Sequence, residues 1–102
     1  MNDNERLSYD DVSNVIQIFG RFDFSISKEF GERVDSLPQG KAINVDFSYC
    51  NYVDSAGVGA LLALRMHADP TGSNITLLNC NDLVLEILKI GDIHKFFDIN
   101  EK

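Results

Sequence analysis

Short runs of β-branched and apolar residues predict the strands of this chain, and turn residues between them set their limits. The segment VIQIF, Val15 to Phe19, is largely apolar and ends at Gly20, which is typical of a well-buried strand. The more polar RLSYDD before it predicts a weaker edge strand that pairs with it. A second buried strand is predicted for KAINVDF, residues 41–47, and the loop SYCNY follows it. The next strand is predicted for NITLL, and a short last strand for HKFFDI.

Between these strands, apolar residues recur at the spacing of an amphipathic helix in three places. The first helix is predicted from Ser25 to Leu37, where Pro38 stops the pattern, and its apolar side contains Ile26, Phe30, Val34 and Leu37. The second is predicted for SAGVGALLALRMHAD, with an apolar side formed by Val58, Leu61, Leu62, Leu64 and Met66. The third, NDLVLEILKIG, is capped by Asn81 and ends at Gly91, with an apolar side formed by Leu83, Ile87 and Ile90.

The predicted order of elements is strand, strand, helix, strand, helix, strand, helix, strand. Strands that alternate with helices predict parallel crossovers of right-handed connection, whereas the first two strands form an antiparallel hairpin. We therefore expect a single α/β domain over residues 1–102, with a mixed four- to five-stranded sheet covered by about three to four helices. Its predicted core contains Val15, Ile16, Ile18, Ile43, Val45, Leu61, Leu62, Leu77 and Ile87.

The charge of the chain restricts its partners. Asp and Glu outnumber Lys and Arg by 16 to 9, and the formal net charge of −7 argues against nucleic acid and against an anionic membrane surface. No apolar run approaches the roughly 20 residues of a membrane span, and the polar start MNDNERLSYDD lacks the features of a signal peptide. We therefore expect a cytoplasmic protein without direct membrane insertion.

The residue patterns needed for catalysis or metal binding are missing. Cys50 and Cys80 have neither CxxC spacing nor a nearby histidine pair, so two free thiols and no metal site are predicted. Val53 and Asp54 precede Ser55 where the G-x-S-x-G elbow of hydrolases requires a glycine. The GVG that follows has neither the lysine of a P-loop nor the spacing of a dinucleotide-binding fingerprint. We therefore expect no catalytic residue, no cofactor and no enzymatic activity.

The stretch DSAGVG at the start of the second helix is the main candidate for a functional site. Asp54 is a good N-cap, and Ser55 lies at or beside the first helical position, where its hydroxyl faces solvent. Gly57 and Gly59 each cost about 1 kcal/mol relative to alanine inside a helix. Two interpretations remain open: these residues only cap and pack a core helix, or Ser55 accepts a phosphate at the helix N-terminus and the glycines let a partner approach.

Three segments carry a resemblance to a known family. VDFSYCNYVDSAGVGALLALRMHA resembles the signature of STAS domains, in particular of the bacterial anti-sigma factor antagonists: a buried strand, a short loop, then Asp-Ser-small-Gly-apolar-Gly and an apolar helix. GRFDF resembles the Gly-x-apolar-Asp turn after an early strand of that family, and LLNCNDLVLEILKIGDIHKFFDI resembles its final strand, helix and tail. The resemblance covers almost the whole chain in order.

The resemblance implies a partner switch. In that family, a GHKL-type serine kinase that is also the anti-sigma factor phosphorylates the serine matching Ser55, and a metal-dependent PP2C-type phosphatase removes the phosphate. Only the unphosphorylated domain binds the kinase and frees its sigma factor. For this chain the resemblance implies that Ser55 is the acceptor and that the partner-binding residues are Asp23, Asp54, Ser55, Ala56, Gly57 and Gly59. For Asp23, a role as a turn or capping residue is the alternative.

Two departures from the antagonists leave room for a second interpretation. Ala56 follows the serine where many members have a second serine, and the sequence after FFDI leaves no room for the additional C-terminal helix of sporulation-type antagonists. A shorter STAS protein is a subunit of bacterial lipid-transport ABC complexes, where it binds the ATPase and its serine position is often not a phosphoacceptor. The alternative function is therefore such a transport subunit, whereas the intact Asp-Ser-Ala-Gly favours regulation.

Overall fold

A computed structural model describes residues 6–101, so that residues 1–5 and 102 of the predicted domain lie outside the described part. The elements follow the predicted order: β1 (Leu7–Asp10), β2 (Val15–Phe22), α1 (Phe24–Asp35), β3 (Ile43–Val53), α2 (Ser55–Ala68), β4 (Ile75–Cys80), α3 (Asp82–Ile90) and β5 (Asp98–Glu101). Short 3₁₀ turns follow α2 at residues 69–71 and precede β5 at residues 93–96.

The strands form one mixed sheet in the order β1-β2-β3-β4-β5. β1 pairs antiparallel with β2, and each later pair of neighbours is parallel. Because neighbouring strands are also consecutive in the chain, crossovers of one hand place the three helices on the same face of the sheet. The predicted fold class is therefore confirmed, with five strands and three α-helices in the described part.

Side-chain alternation separates the two faces of the sheet. Partly exposed residues such as Gln17, Asn44, Asp46 and Thr76 line the open face, whereas the face under the helices carries the fully buried Ile16, Ile18, Val45, Phe47 and Leu77. Ile43 and Leu61 are also buried, as predicted. Three residues of the predicted core are partly exposed: Val15 lies on the open face, while Leu62 and Ile87 pack against the margin of the core.

The loop predicted for SYCNY is wrong, because β3 continues through it to Val53. Its second half pairs with the end of β2, where Phe19 lies opposite Tyr49 and Phe22 lies opposite Val53. The register between the two strands shifts twice along this stretch. Such irregularities disturb the simple alternation of side chains, and the polar segment therefore does not look like a strand in the sequence.

The predicted apolar sides of the second and third helices are partly wrong. Met66 on α2 is 72% exposed, and Ile90 on α3 is 81% exposed. The residues that α3 buries are Val84, Leu85 and Leu88. Since α3 is apolar around most of its circumference, spacing alone selects no single face for the core. The first helix also ends at Asp35, two residues earlier than predicted.

No helix among residues 6–101 combines the length and the apolar character that crossing a membrane requires.

Candidate functional site

The starts of α1 and α2 lie side by side at the carboxyl edge of the sheet. Phe22 and Val53 are paired residues at the ends of the parallel strands β2 and β3, and the backbone N–H of Asp54 donates to the carbonyl oxygen of Phe22 at 3.1 Å. The next residues, Asp23 and Asp54, are the N-caps of the two helices. The topology therefore brings the predicted turn and the predicted serine segment together, although they are about thirty residues apart in the chain.

Ser55 is the first residue of α2, and it is exposed. Asp54 before it has an extended backbone, and its carboxylate accepts a hydrogen bond from the N–H of Gly57 at 3.0 Å. The hydroxyl of Ser55 has no hydrogen-bond partner within the described residues. The structure thus places a free hydroxyl beside the unpaired N–H groups and the positive end of a helix dipole, where a phosphate is well accommodated.

The two glycines of α2 have different surroundings. A Cβ on Gly57 would collide with the carbonyl oxygen of Phe22 and would lie 2.8 Å from Cγ1 of Val53. Gly57 is therefore required where the helix packs closely on the ends of β2 and β3, and it shapes the site from inside. A Cβ on Gly59 would meet nothing within 4 Å, and Gly59 is exposed. Packing within the described residues gives no reason for a glycine there.

Asp23 caps α1 and is also held by neighbouring cations. Its carboxylate accepts hydrogen bonds from the backbone N–H of Ser25 at 3.0 Å and from the Ser25 hydroxyl. Arg6 and Arg21 each approach it to 3.7 Å. The hydrogen bond from the Ser25 hydroxyl, followed by the backbone bond and the two guanidinium groups, holds the pKa of Asp23 below its usual range. The capping role is therefore real, and a role in partner binding stays a prediction.

Aromatic residues that sequence analysis did not select lie at the same edge. Phe24, the first residue of α1, is 78% exposed. Arg21 lies over the ring of Tyr52 at 4.5 Å, and both belong to the paired ends of β2 and β3. The signal for Phe24 was present in the sequence: it is out of phase with the buried side of α1, which contains Ile26, Phe30 and Val34.

The described residues hold no metal-binding cluster and no histidine that is hydrogen-bonded to Ser55. No group of three or more His, Cys, Asp or Glu side chains between residues 6 and 101 is arranged to hold a metal ion. Cys50 and Cys80 are free and buried, and burial raises the pKa of both thiols, that of Cys80 to about 12. Within the same range, neither histidine side chain forms a hydrogen bond with Ser55.

A βα domain with a capped, serine-bearing helix start at the carboxyl edge of its sheet has the architecture of a STAS domain. The family model described as "Mlab, STAS domain" matches residues 5–99. The chain belongs to this family, which confirms the predicted STAS domain. A STAS-domain containing protein of Pseudomonas aeruginosa (strain UCBPP-PA14) is 38% identical over 96 residues, which cover 91% of this chain and 93% of the relative.

Solved structures with low sequence identity share the fold. A candidate anti-sigma factor antagonist from Thermotoga maritima superposes with a TM-score of 0.79 at 17% identity, over 94% of this chain and 86% of that one. The anti-sigma factor antagonist SpoIIAA in its unphosphorylated form gives a TM-score of 0.67 at 17% identity, with the same coverage of 94% and 86%. A sulfate transporter family protein from Wolinella succinogenes gives 0.70 at 16% identity, over 86% of this chain and 76% of that one.

Proposed function

We propose that this protein is an anti-sigma factor antagonist in a partner-switching pathway. The unphosphorylated domain binds an anti-sigma factor that is also a GHKL-type serine kinase, and phosphorylation of Ser55 releases it. A PP2C-type phosphatase restores the binding form. The observation that carries the proposal is the exposed hydroxyl of Ser55, without a hydrogen-bond partner among the described residues, at the first position of α2.

The start of α2 suits a reversible phosphate. Ser55 is exposed and is not part of the buried core, and its hydroxyl forms no hydrogen bond within the described part, so we expect its modification to leave the core contacts of α2 in place. The helix dipole and the free N–H groups of the first turn favour the added negative charge. A phosphate of about −1.5 to −2 charges nevertheless changes the surface that a partner has to cover. We therefore expect phosphorylation of Ser55 to change partner binding and to leave the fold unchanged.

The proposed partner surface extends from Ser55 over its neighbours. Asp54 borders the serine with negative charge, whereas the carboxylate of Asp23 is paired with two arginines. Ala56 and Gly59 add little bulk. Gly57 contributes by letting the helix start lie close against β2. In this function the chain is the substrate and ligand of its partners, acts in the cytoplasm and is not itself an enzyme.

The test of this proposal is co-purification from the native cell followed by phosphorylation. We expect a GHKL-type kinase to be recovered and to phosphorylate the purified protein with ATP. The variant Ser55→Ala should accept no phosphate, whereas the matched variant Ser36→Ala, at an exposed serine after α1, should be modified like the wild type. Modification of Ser55→Ala to the wild-type extent would contradict the proposal.

A second candidate function is that of a STAS subunit bound to the ATPase of a bacterial lipid-transport ABC complex. One observation favours it: the matching family model carries the name Mlab. In this function, the start of α2 contacts the ATPase without turnover of a phosphate. Recovery of an ABC ATPase in place of a kinase, with Ser55 unmodified in the purified complex, would support it.

A further inference from the structure

One side of α3 carries an apolar stripe that the described fold leaves uncovered. The α3 stripe consists of Leu83, Ile87 and Ile90, which follow one another at the i, i+4, i+7 spacing of a helix side. Leu83 is 46% exposed and Ile90 is 81% exposed, while Ile87 is half-buried. The sequence predicts this side as core because its spacing is that of a buried face. A side with this pattern that is not covered by its own fold is typical of a contact with another chain.

A groove lies beside the α3 stripe. It has a volume of about 470 Å³ and separates α3 from the end of β5, at the edge of the sheet. Four charged residues line it together with two apolar ones: Asp82, Glu86, Lys89 and Glu101, with Leu85 and Ile90. Since β5 is the last strand of the sheet, no strand of residues 6–101 lies beyond it on this side of α3. The groove has room for the side chains of an incoming helix.

The charges next to the stripe indicate which helix fits. Asp82 and Glu86 lie in the first half of α3 and Lys89 lies near its end, and all three are exposed. None of the three forms a salt bridge with any residue that the structure describes. A second α3 in antiparallel orientation would bring Lys89 of each copy beside Glu86 and Asp82 of the other. It would also place the N-terminus of each helix beside the C-terminus of the other, which is the favourable arrangement of two helix dipoles. A parallel second copy would place like charges together.

We propose that the protein forms a symmetric dimer in which the α3 stripes of two copies pack antiparallel around a two-fold axis. In such a contact, Leu83 of one copy meets Ile90 of the other, and the Lys89 and Glu86 pair occurs twice. A nine-residue helix is only about 13 Å long, so the interface is small. The dissociation constant is therefore expected between about 1 μM and 1 mM. This proposal does not depend on the function of Ser55.

Sedimentation equilibrium of the full chain at concentrations from about 10 μM to about 1 mM tests the proposal. We expect the average mass to rise from the monomer toward the dimer. Ile90→Glu should weaken the association at least tenfold and leave the melting curve unchanged, because the side chain is 81% exposed. The matched variant Val12→Glu, at an apolar residue that is 92% exposed in the β1–β2 turn, should associate like the wild type.

Charge reversal tests the antiparallel arrangement. Lys89→Glu and Glu86→Lys should each weaken the dimer, and the double variant should restore it, because every pair is formed between two copies of the same chain. A protein that stays monomeric at all concentrations, or a dimer that Ile90→Glu leaves intact, would overturn the proposal. A double variant that dimerises as weakly as the two single variants would also overturn the proposal. Loss of kinase or ATPase binding in Ile90→Glu, with a monomeric wild type, would assign the α3 stripe to that partner instead.

Discussion

Gly57 and Gly59 are two residues apart on α2, and the space around them is different. Gly57 faces the carbonyl oxygen of Phe22, and Gly59 faces open space. From the sequence alone, each of the two glycines is expected to destabilise the helix by the same free energy. In the fold only one of them is needed, since close packing of α2 on β2 requires the absence of a Cβ at Gly57.

Alanine at the two glycine positions should change the free energy of unfolding in opposite directions. Gly57→Ala should destabilise the domain by about 1 to 3 kcal/mol, because the new methyl group overpacks the contact with Phe22 and Val53. Gly59→Ala should stabilise it by up to about 1 kcal/mol through helix propensity. Urea unfolding of both variants measures the difference. Equal effects of the two substitutions would contradict the role given to Gly57.

The cap of α2 gives a second prediction for a single residue. Asp54→Ala removes the acceptor of the Gly57 N–H and should lower the free energy of unfolding by about 1 kcal/mol. Asp54→Asn retains an acceptor oxygen in the same place and should cost much less. Thermal or urea unfolding of the two variants provides the test. A loss of the same size in both would mean that the negative charge of Asp54, and not its hydrogen bond, stabilises the helix.

Single residues were predictable from sequence where their role depends on neighbours in the chain. The N-caps Asp54 and Asn81 belong to this group, because a capping side chain bonds to an N–H two or three residues further on. The role of Gly57 depends on what lies opposite it in space. That role required the pairing of β2 with β3, which the sequence alone does not provide.

Three neighbouring strands are joined through the carboxylate of Asp46 on the open face of the sheet. It accepts hydrogen bonds from Gln17 on β2 at 2.8 Å and from Asn79 on β4 at 3.0 Å. The backbone N–H and the hydroxyl of Ser48 add two more, at 2.9 Å and 2.7 Å. Burial raises the pKa of Asp46, but these hydrogen bonds together outweigh it and hold the pKa below its usual range.

The stability of the sheet should therefore depend on pH through Asp46. A carboxylate whose pKa is lower in the folded state contributes stability above its unfolded pKa of about 3.9, and this contribution is lost as the pH falls through the folded pKa. Asp46→Asn should flatten the fall in unfolding free energy between about pH 5 and pH 3. Urea unfolding across this range measures the slope. Thr76→Ala, at a partly exposed side chain of the same face that carries no titratable group, is the control and should leave the slope unchanged.

The elements were predictable in order and type, but less so in their limits and faces. Repeated apolar spacing and turn residues identify the strands and helices because both signals are local. The second half of β3 was missed because its pairing with β2 is irregular. The buried side of α3 was missed because Leu83 and Ile90 are as apolar as the residues that reach the core. The end of a strand and the buried side of a helix depend on contacts between segments that are distant in the chain.

In the whole domain, the residues that stabilise the fold and the proposed binding site lie in different places. The core lies between the helices and one face of the sheet, and Ser55 lies outside it at the carboxyl edge. A phosphate there should leave the domain as stable as before or stabilise it by about 0.3 to 1 kcal/mol. In an interface, the same phosphate would lose its water without gaining a positively charged or hydrogen-bonding neighbour, and this lowers the binding affinity.

Titration of the cognate kinase with phosphorylated and unmodified protein, together with the melting curves of both forms, shows whether a phosphate on Ser55 acts on binding or on the fold. We expect the phosphorylated form to bind at least roughly tenfold more weakly, a change of about 1.4 kcal/mol or more, with a melting temperature equal to or above that of the unmodified form. Ser55→Asp should reproduce part of this loss, and Ser55→Ala should bind persistently. Equal affinities of the two forms would contradict the switch, and a loss of binding matched by unfolding would mean that the phosphate acts on the fold.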